Sequence, residues 1–138
     1  MVQLLIKKSD QIENAKIAVL MLIEKFAESD FFERKECMHF LETSFDQFLD
    51  GALFKIKKQM LPCLLAISKH IDYLTFQHKI MATYHSFTRD PIWGVRRVAI
   101  ELMPEVIKKL KPNETEQFVK CLDALKLALS DESKWVKN

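Results

Sequence analysis

The side chains best suited to chemistry are scattered along this chain. His78 and His85 stand two helical turns apart and would share one helix face, and Cys37 lies two residues from His39. A structural zinc site needs four ligands at tight spacings, and neither pair has companions nearby. No metal site and no cofactor is expected, and these residues read as surface or core side chains. Gly51 and Gly94 stand alone, so there is no glycine-rich phosphate loop. A Ser/His/Asp grouping is a matter of geometry that sequence separation does not decide. Arg96, Arg97, Lys108, Lys109 and Lys111 are basic but alternate with apolar positions around a helix. They read as a solvated face with a C-terminus that complements the helix dipole. With 21 Lys+Arg against 19 Asp+Glu, the net charge of +2 makes no electrostatic case for nucleic acid. The chain is expected to be no enzyme, with no catalytic residue.

The elements around these residues are helical. The 138 residues suit one domain or a piece of a larger one. Apolar residues at 49% can build a core, while Gly 2 and Pro 4 disfavour turn-rich all-β folds and disorder. Three widely spaced cysteines, Cys37, Cys63 and Cys121, read as reduced thiols. With no bilayer-length apolar run and no signal-peptide pattern, the expected location is cytoplasmic or nuclear, away from membranes. Apolar periodicity predicts helices over about 11–27, 31–48, 53–70, 73–88, 91–111 and 114–129. On the first, Ile12, Ala15, Val19, Leu22, Ile23 and Phe26 share one face; the helix over 53–70 carries Ile56, Met60, Leu61, Leu64, Leu65 and Ile67 as its expected core, that over 73–88 carries Tyr73, Phe76, Ile80, Tyr84 and Phe87, and the last carries Phe118, Val119, Leu122, Leu125, Leu127 and Leu129. Pro62 and Pro104 predict kinks. Ser9-Asp10 reads as a break that separates a short helical tail from the first full helix. Asp90 reads as an N-cap and Pro91 as the first helical residue, with Val95, Val98, Ala99, Leu102, Met103, Val106, Ile107 and Leu110 following on one buried face.

The opening of that helix recurs. Asp10, Asp50, Asp90 and Asp131 lie about 40 residues apart, each placed between two predicted helices. Each is followed by an apolar-basic pair: Ala15-Lys16, Ile56-Lys57, Val95-Arg96 and Val136-Lys137. That period is the HEAT/armadillo range. The expected fold is all-α, an α-solenoid of HEAT-type helix pairs in which residues 1–138 form a single segment of about three repeats, incomplete at both ends. Leu4, Leu5, Trp135 and Val136 would then expose apolar surface, so a fragment of a longer array, or self-association through the ends, is expected.

Two motifs carry a resemblance. Asp90-Pro91-Ile92-Trp93-Gly94-Val95-Arg96-Arg97-Val98-Ala99 resembles the Trp-Gly-Val-Arg-Lys-Ala stretch of the phosphatase 4 regulatory subunit 1 family. Ser130-Asp131-Glu132-Ser133-Lys134-Trp135-Val136-Lys137 is similar to the Ser-Asp-Pro-Ser-Arg-Trp-Val-Arg stretch of the next repeat there, at the same spacing. The likeness covers about the last third of the chain; its Asp and Val-Arg part is shared by HEAT proteins in general, including phosphatase 2A scaffolds. It implies a non-catalytic regulatory or scaffold subunit that binds a serine/threonine phosphatase catalytic subunit and modulates its activity or substrate choice. It also implies that Asp90, Val95, Arg96, Asp131, Val136 and Lys137 hold repeats together, and that Trp93, Arg97, Lys134 and Trp135 face a partner. The alternatives are a generic HEAT adaptor for transport or assembly, and a HEAT-like DNA-repair glycosylase. The latter would need a basic groove with stacking aromatics.

Overall fold

The structure, a computed structural model, describes the backbone of residues 2–130 and the side chains of residues 11–130. The expected positions Asp131, Lys134, Trp135, Val136 and Lys137 lie outside the described residues. The fold is all-helical, with no strand among the described residues. The chain divides into two compact units, Met1–Ile71 and Asp72–Asn138.

The first unit contains α1 (Val2–Glu28), α2 (Arg34–Thr43), α3 (Phe45–Leu49) and α4 (Phe54–Ser68). Its core lies where α1 packs on α4. α4 is buried almost all round, through Ile56, Met60, Leu61, Cys63, Leu64, Leu65, Ala66 and Ile67, as befits a central helix. Pro62 sits within it, and the helix runs on past that residue. α1 also runs on where a break was expected, at Ser9-Asp10. Neither residue is Gly or Pro, and Ser and Asp cost a helix interior only about 0.7 kcal/mol or less each.

The C-terminal ends of α1 and α4 lie together. His70 Nε2 donates to the Ala27 carbonyl at 2.7 Å, and Lys69 Nζ donates to that of Glu28 at 3.2 Å. These side chains fill carbonyls that a helix end leaves open, and the Lys69 charge also suits the negative end of the dipole. Asp30 follows in the left-handed region (φ 61), with its carboxylate 3.0 Å from Lys69 Nζ. Upstream, Gln59 Nε2 donates to Glu24 Oε1 at 2.9 Å. These contacts advance in the same sense along both helices, so α1 and α4 run in the same direction, with α2 and α3 returning between them in sequence.

The predicted helix over 31–48 is broken at Ser44. Thr43 Oγ1 donates to the His39 carbonyl at 2.6 Å, competing with the backbone for it. Phe40 anchors both pieces, packing against Phe45 (6.5 Å between centroids) and Phe48 (5.8 Å). Beyond α3, Asp50 (φ −63, ψ 120) and Gly51 (φ 64) are the central residues of a type II turn closed by Ala52 N–H to Leu49 C=O at 3.1 Å. That turn needs a positive φ at its third residue, which glycine supplies without steric cost.

The second unit contains α5 (Tyr73–Thr75), a π-helical run (Phe76–Met81), α6 (Ala82–Thr88), α7 (Trp93–Glu101), α8 (Met103–Lys109) and α9 (Thr115–Ser130). Asp72 caps α5 by accepting from Thr75 N–H at 3.2 Å. Phe76, Ile80, Tyr84 and Phe87 are buried, as the periodicity expected. Pro104, expected to kink a long helix, stands instead in the first turn of a separate helix, α8. Proline is tolerated there because its missing N–H would be unpaired anyway. α9 begins at Thr115, one residue inside the predicted range 114–129. Tyr73 Oη accepts from Lys111 N–H at 3.1 Å, Gln77 Nε2 donates to Glu114 Oε1 at 2.7 Å, and His85 meets Gln117. These contacts also advance together, so the segment 73–88 and α9 run in the same direction. Helices open at Arg34, Tyr73 and Thr115, about 40 residues apart.

Candidate protein-interaction surface

The segment Asp90–Arg97 forms a pinned turn that opens α7. Asp90 is 6% exposed, and its Oδ1 accepts from Ile92 N–H at 2.9 Å. This is an Asx turn, with the side chain bonding the backbone two residues on. Asp90 is therefore not the cap of α7: the capping position falls to Ile92, and Pro91 lies before the helix. The Asp90 carboxylate takes the Ile92 N–H, and Ile92 itself is extended (φ −89, ψ 120), so the helix starts only at Trp93. Arg96, one turn into α7, reaches back and donates from Nη1 to the carbonyls of Asp90 (2.7 Å) and Pro91 (3.0 Å). Gly94, Val95 and Ala99 face inward.

The outcome is a fixed projection. Ile92 is 43% and Trp93 40% exposed, on a backbone held from both sides by Asp90 and Arg96. Arg97 is exposed one turn on and pairs with Glu101 through Nε at 2.9 Å, an i,i+4 contact on the α7 surface. Of the four expected partner-facing residues, Trp93 and Arg97 are thus placed outward. Lys134 and Trp135 lie outside the described residues.

Two further surfaces come from helices that are apolar on more than one side. In α1, Leu20, Ile23 and Ala27 are buried, whereas Ile12, Val19 and Leu22 are exposed. The periodicity places Ile12, Val19, Leu22 and Ile23 together on the buried side. The helix is instead rotated, so that only one edge of that stripe meets α4. In α9 the small residues Cys121, Ala124 and Ala128 face the core, and Val119, Leu122, Leu125, Leu127 and Leu129 are exposed. Small side chains permit a close approach to α6 and α7, and the larger leucines of the helix are left outside. A shallow groove of about 1070 Å³ also runs along α2, with Ile23, Phe32, Met38 and Phe40 apolar and charges of both signs at its rim. The mixed signs select no particular ligand charge.

The residues considered for metal or nucleophilic chemistry are drawn apart. Cys37 is buried while His39 is exposed, and His78 is exposed while His85 is half-buried. Among the described residues no group of three or more His, Cys, Asp or Glu side chains is placed to hold a metal. Burial pushes the Cys37 thiol up to about 11 and the Cys63 thiol up to about 12. Both are packing residues held as thiols, since the thiolate is the reactive form. Among the described residues no helix is long and apolar enough to cross a membrane.

His85 is half-buried in the second unit. Its Nε2 lies 2.6 Å from Gln117 Oε1; a carbonyl oxygen only accepts, so the proton sits on Nε2. Burial lowers its pKa below 6.5, aided by Lys120 and Arg89, and opposed by the Gln117 bond and Glu116. The unfolded chain therefore takes up this proton first as the pH falls. The stability tied to neutral His85 is present above the unfolded value and is lost as the pH drops through the folded one. Urea melts between about pH 7.5 and pH 5 should show a smaller loss of stability for His85→Gln than for the wild type. Equal losses would mean that His85 does not carry this acid sensitivity.

No protein-family model, curated protein or solved structure matches the chain.

Proposed function

We propose that this chain is a non-catalytic helical scaffold of HEAT type that binds a phosphatase catalytic subunit of the phosphatase 4 class through its Ile92-Trp93 turn. The observation that carries the reading is the pinned projection of Trp93. An exposed tryptophan on a braced turn loses little freedom on binding, and Trp is among the residue types that dominate interface energetics. The HEAT assignment is supported by helix openings about 40 residues apart and by the shared direction of alternate helices within each unit. The choice of a phosphatase rests on the Trp93-Gly94-Val95-Arg96 resemblance. A generic protein-binding adaptor is the second reading. It is favoured by the outward leucines of α9, a surface to which the resemblance assigns no role.

The test is direct binding of purified phosphatase 4 and 2A catalytic subunits to the chain by calorimetry. Binding is expected in the micromolar range or tighter, weakened at least about tenfold by Trp93→Ala. Absence of binding would remove the phosphatase reading. Binding unaffected by Trp93→Ala would move the contact elsewhere on the surface.

A further inference from the structure

We propose that the start of α4 in the first unit is a second docking surface, equivalent to the Ile92-Trp93 turn of the second unit, and that it takes an apolar peptide segment flanked by carboxylates. The proposal takes from the reading of Trp93 only the equivalence of the two turns.

That equivalence emerges on counting from the helix starts. Counted from Asp50 and Asp90, the pairs Ile56-Lys57 and Val95-Arg96 are one residue out of step. α4 opens at Phe54 and α7 at Trp93, about 40 residues on, and from these starts the two pairs coincide. The capping residues are Leu53 and Ile92, both extended. The first helical residues are the aromatic Phe54 and Trp93. The third are Ile56 and Val95, at 4% and 0% exposure. The fourth are Lys57 and Arg96, and the fifth are Lys58 and Arg97, both exposed. Only the second position differs in kind, Lys55 against Gly94. The core accounts for Ile56 and Val95. It does not account for the aliphatic-aromatic pair before each. Leu53 is 58% and Ile92 43% exposed, and Phe54 is half-buried where Trp93 is 40% exposed.

The chemistry of the occupant follows from charge. From Gly51 to Ile71 the chain holds Lys55, Lys57, Lys58 and Lys69 and no acidic residue. Lys55 and Lys58 are exposed beside the apolar pair. Near the positive end of the helix dipole such cations weaken α4, so helix stability does not account for them. In α7 the charge of Arg97 is offset one turn on by Glu101, at 2.9 Å. The same step from Lys55 and Lys58 reaches Gln59 and Pro62, which carry no charge. Lys58 Nζ instead lies 5.0 Å from the centroid of the Phe54 ring, which keeps an ammonium against the apolar pair. Asp50, in the turn before, is the nearest acid along the chain. Complementarity selects a partner whose carboxylates meet the lysines while an apolar side chain meets Leu53.

A peptide fits this surface better than a nucleic acid does. Bases stack on open aromatic faces, whereas one face of Phe54 is covered by Lys58 and the more exposed apolar side chain, Leu53, is aliphatic. Binding along a phosphate backbone also draws on a longer row of cations than one helical turn supplies.

Calorimetric titration of the 138-residue chain with a short peptide, a Leu-Leu-Phe core flanked on both sides by Asp and Glu, tests the proposal. Two peptides should bind per chain in the micromolar range, and both affinities should fall as salt rises. Leu53→Asp should weaken one binding event at least about tenfold. Asp is a favoured capping residue, so this variant keeps α4 and its helical circular dichroism while placing a carboxylate where the acidic partner docks. Lys58→Gln should weaken the same event, and Trp93→Ala the other. Binding that Leu53→Asp leaves untouched and Trp93→Ala removes would overturn the proposal and leave the reading of Trp93 standing. Binding removed by Leu53→Asp and untouched by Trp93→Ala would uphold the surface on α4 and count against Trp93. Absence of peptide binding beside intact, Trp93-dependent binding of a phosphatase subunit would overturn this proposal alone. Equal binding of a peptide with Ser in place of Asp and Glu, or tighter binding of a single-stranded oligonucleotide or of phosphatidylserine vesicles, would overturn the acidic peptide as the occupant.

Discussion

Leu64→Ala should lower the stability of the first unit by about 2–5 kcal/mol. Leu64 is fully buried in the middle of α4, with Met60, Cys63 and Ile67 at 0% exposure around it. Truncation removes the transfer free energy of the side chain and leaves a cavity that a helix buried on all sides cannot easily close. A small domain has only about 5–15 kcal/mol in total, so the change should move the urea midpoint far and could unfold the unit at physiological temperature. Leu53→Ala is the matched control: Leu53 is 58% exposed just before α4, and its loss should change stability by about 0.5 kcal/mol or less. If both variants melted with the wild type, the packing of α4 as a central helix would be wrong.

α4 was also the element most legible in the sequence. Ile56, Met60, Leu61, Leu64, Leu65 and Ile67 were all expected inside, and all are. The reason is that from Met60 to Ile67 the helix is apolar and buried on nearly every side, so an error in rotation does not matter there. At the edges of each unit the same reasoning fails. α1 and α9 each carry more apolar residues than one face can bury, and periodicity does not say which arc meets the core. In α9 the answer was the arc with the smaller side chains, Cys121, Ala124 and Ala128, because close approach to α6 and α7 outweighed side-chain size. Composition alone would have chosen the leucines.

The turn at Asp90 was legible in kind and displaced in detail. Asp followed by Pro marked a helix start, and one occurs, but the carboxylate binds Ile92 N–H and the helix opens at Trp93. Asp-Pro supports an Asx turn as readily as an N-cap, since both satisfy the same acceptor with a nearby backbone N–H. Asp50, one period earlier, also stands between two helices, whereas Asp10 lies inside α1. The π-helical run Phe76–Met81 left no mark in the sequence. One inserted residue rotates the helix beyond it, which helps bring both Gln77 and His85 to the approach of α9. Packing selects that rotation, and Phe76, Ile80 and Met81 are apolar in either register.

The second large effect is expected at Tyr84. Its side chain is 1% exposed, and its hydroxyl donates to the Ala99 carbonyl at 2.7 Å. α7 stops at Glu101, and the last carbonyls of a helix have no continuing N–H to receive. Tyr84 supplies that missing donor from α6 and so ties the two helices together at a point closed to water. Burial pushes the phenol above its usual range, so the proton needed for this bond stays in place across the accessible pH range. Tyr84→Phe keeps the ring and removes only the donor. The buried carbonyl is then unsatisfied, at an expected loss of about 1–3 kcal/mol in urea melts. Tyr84→Ala should lose about 3–5 kcal/mol, since the ring goes too. The difference between the variants separates the bond from the packing. If Phe were neutral while Ala remained costly, the ring alone would join α6 to α7, and the Ala99 carbonyl would have found another donor. If Phe cost nearly as much as Ala, the hydrogen bond would dominate the join between these helices, a polar tie inside an otherwise apolar core.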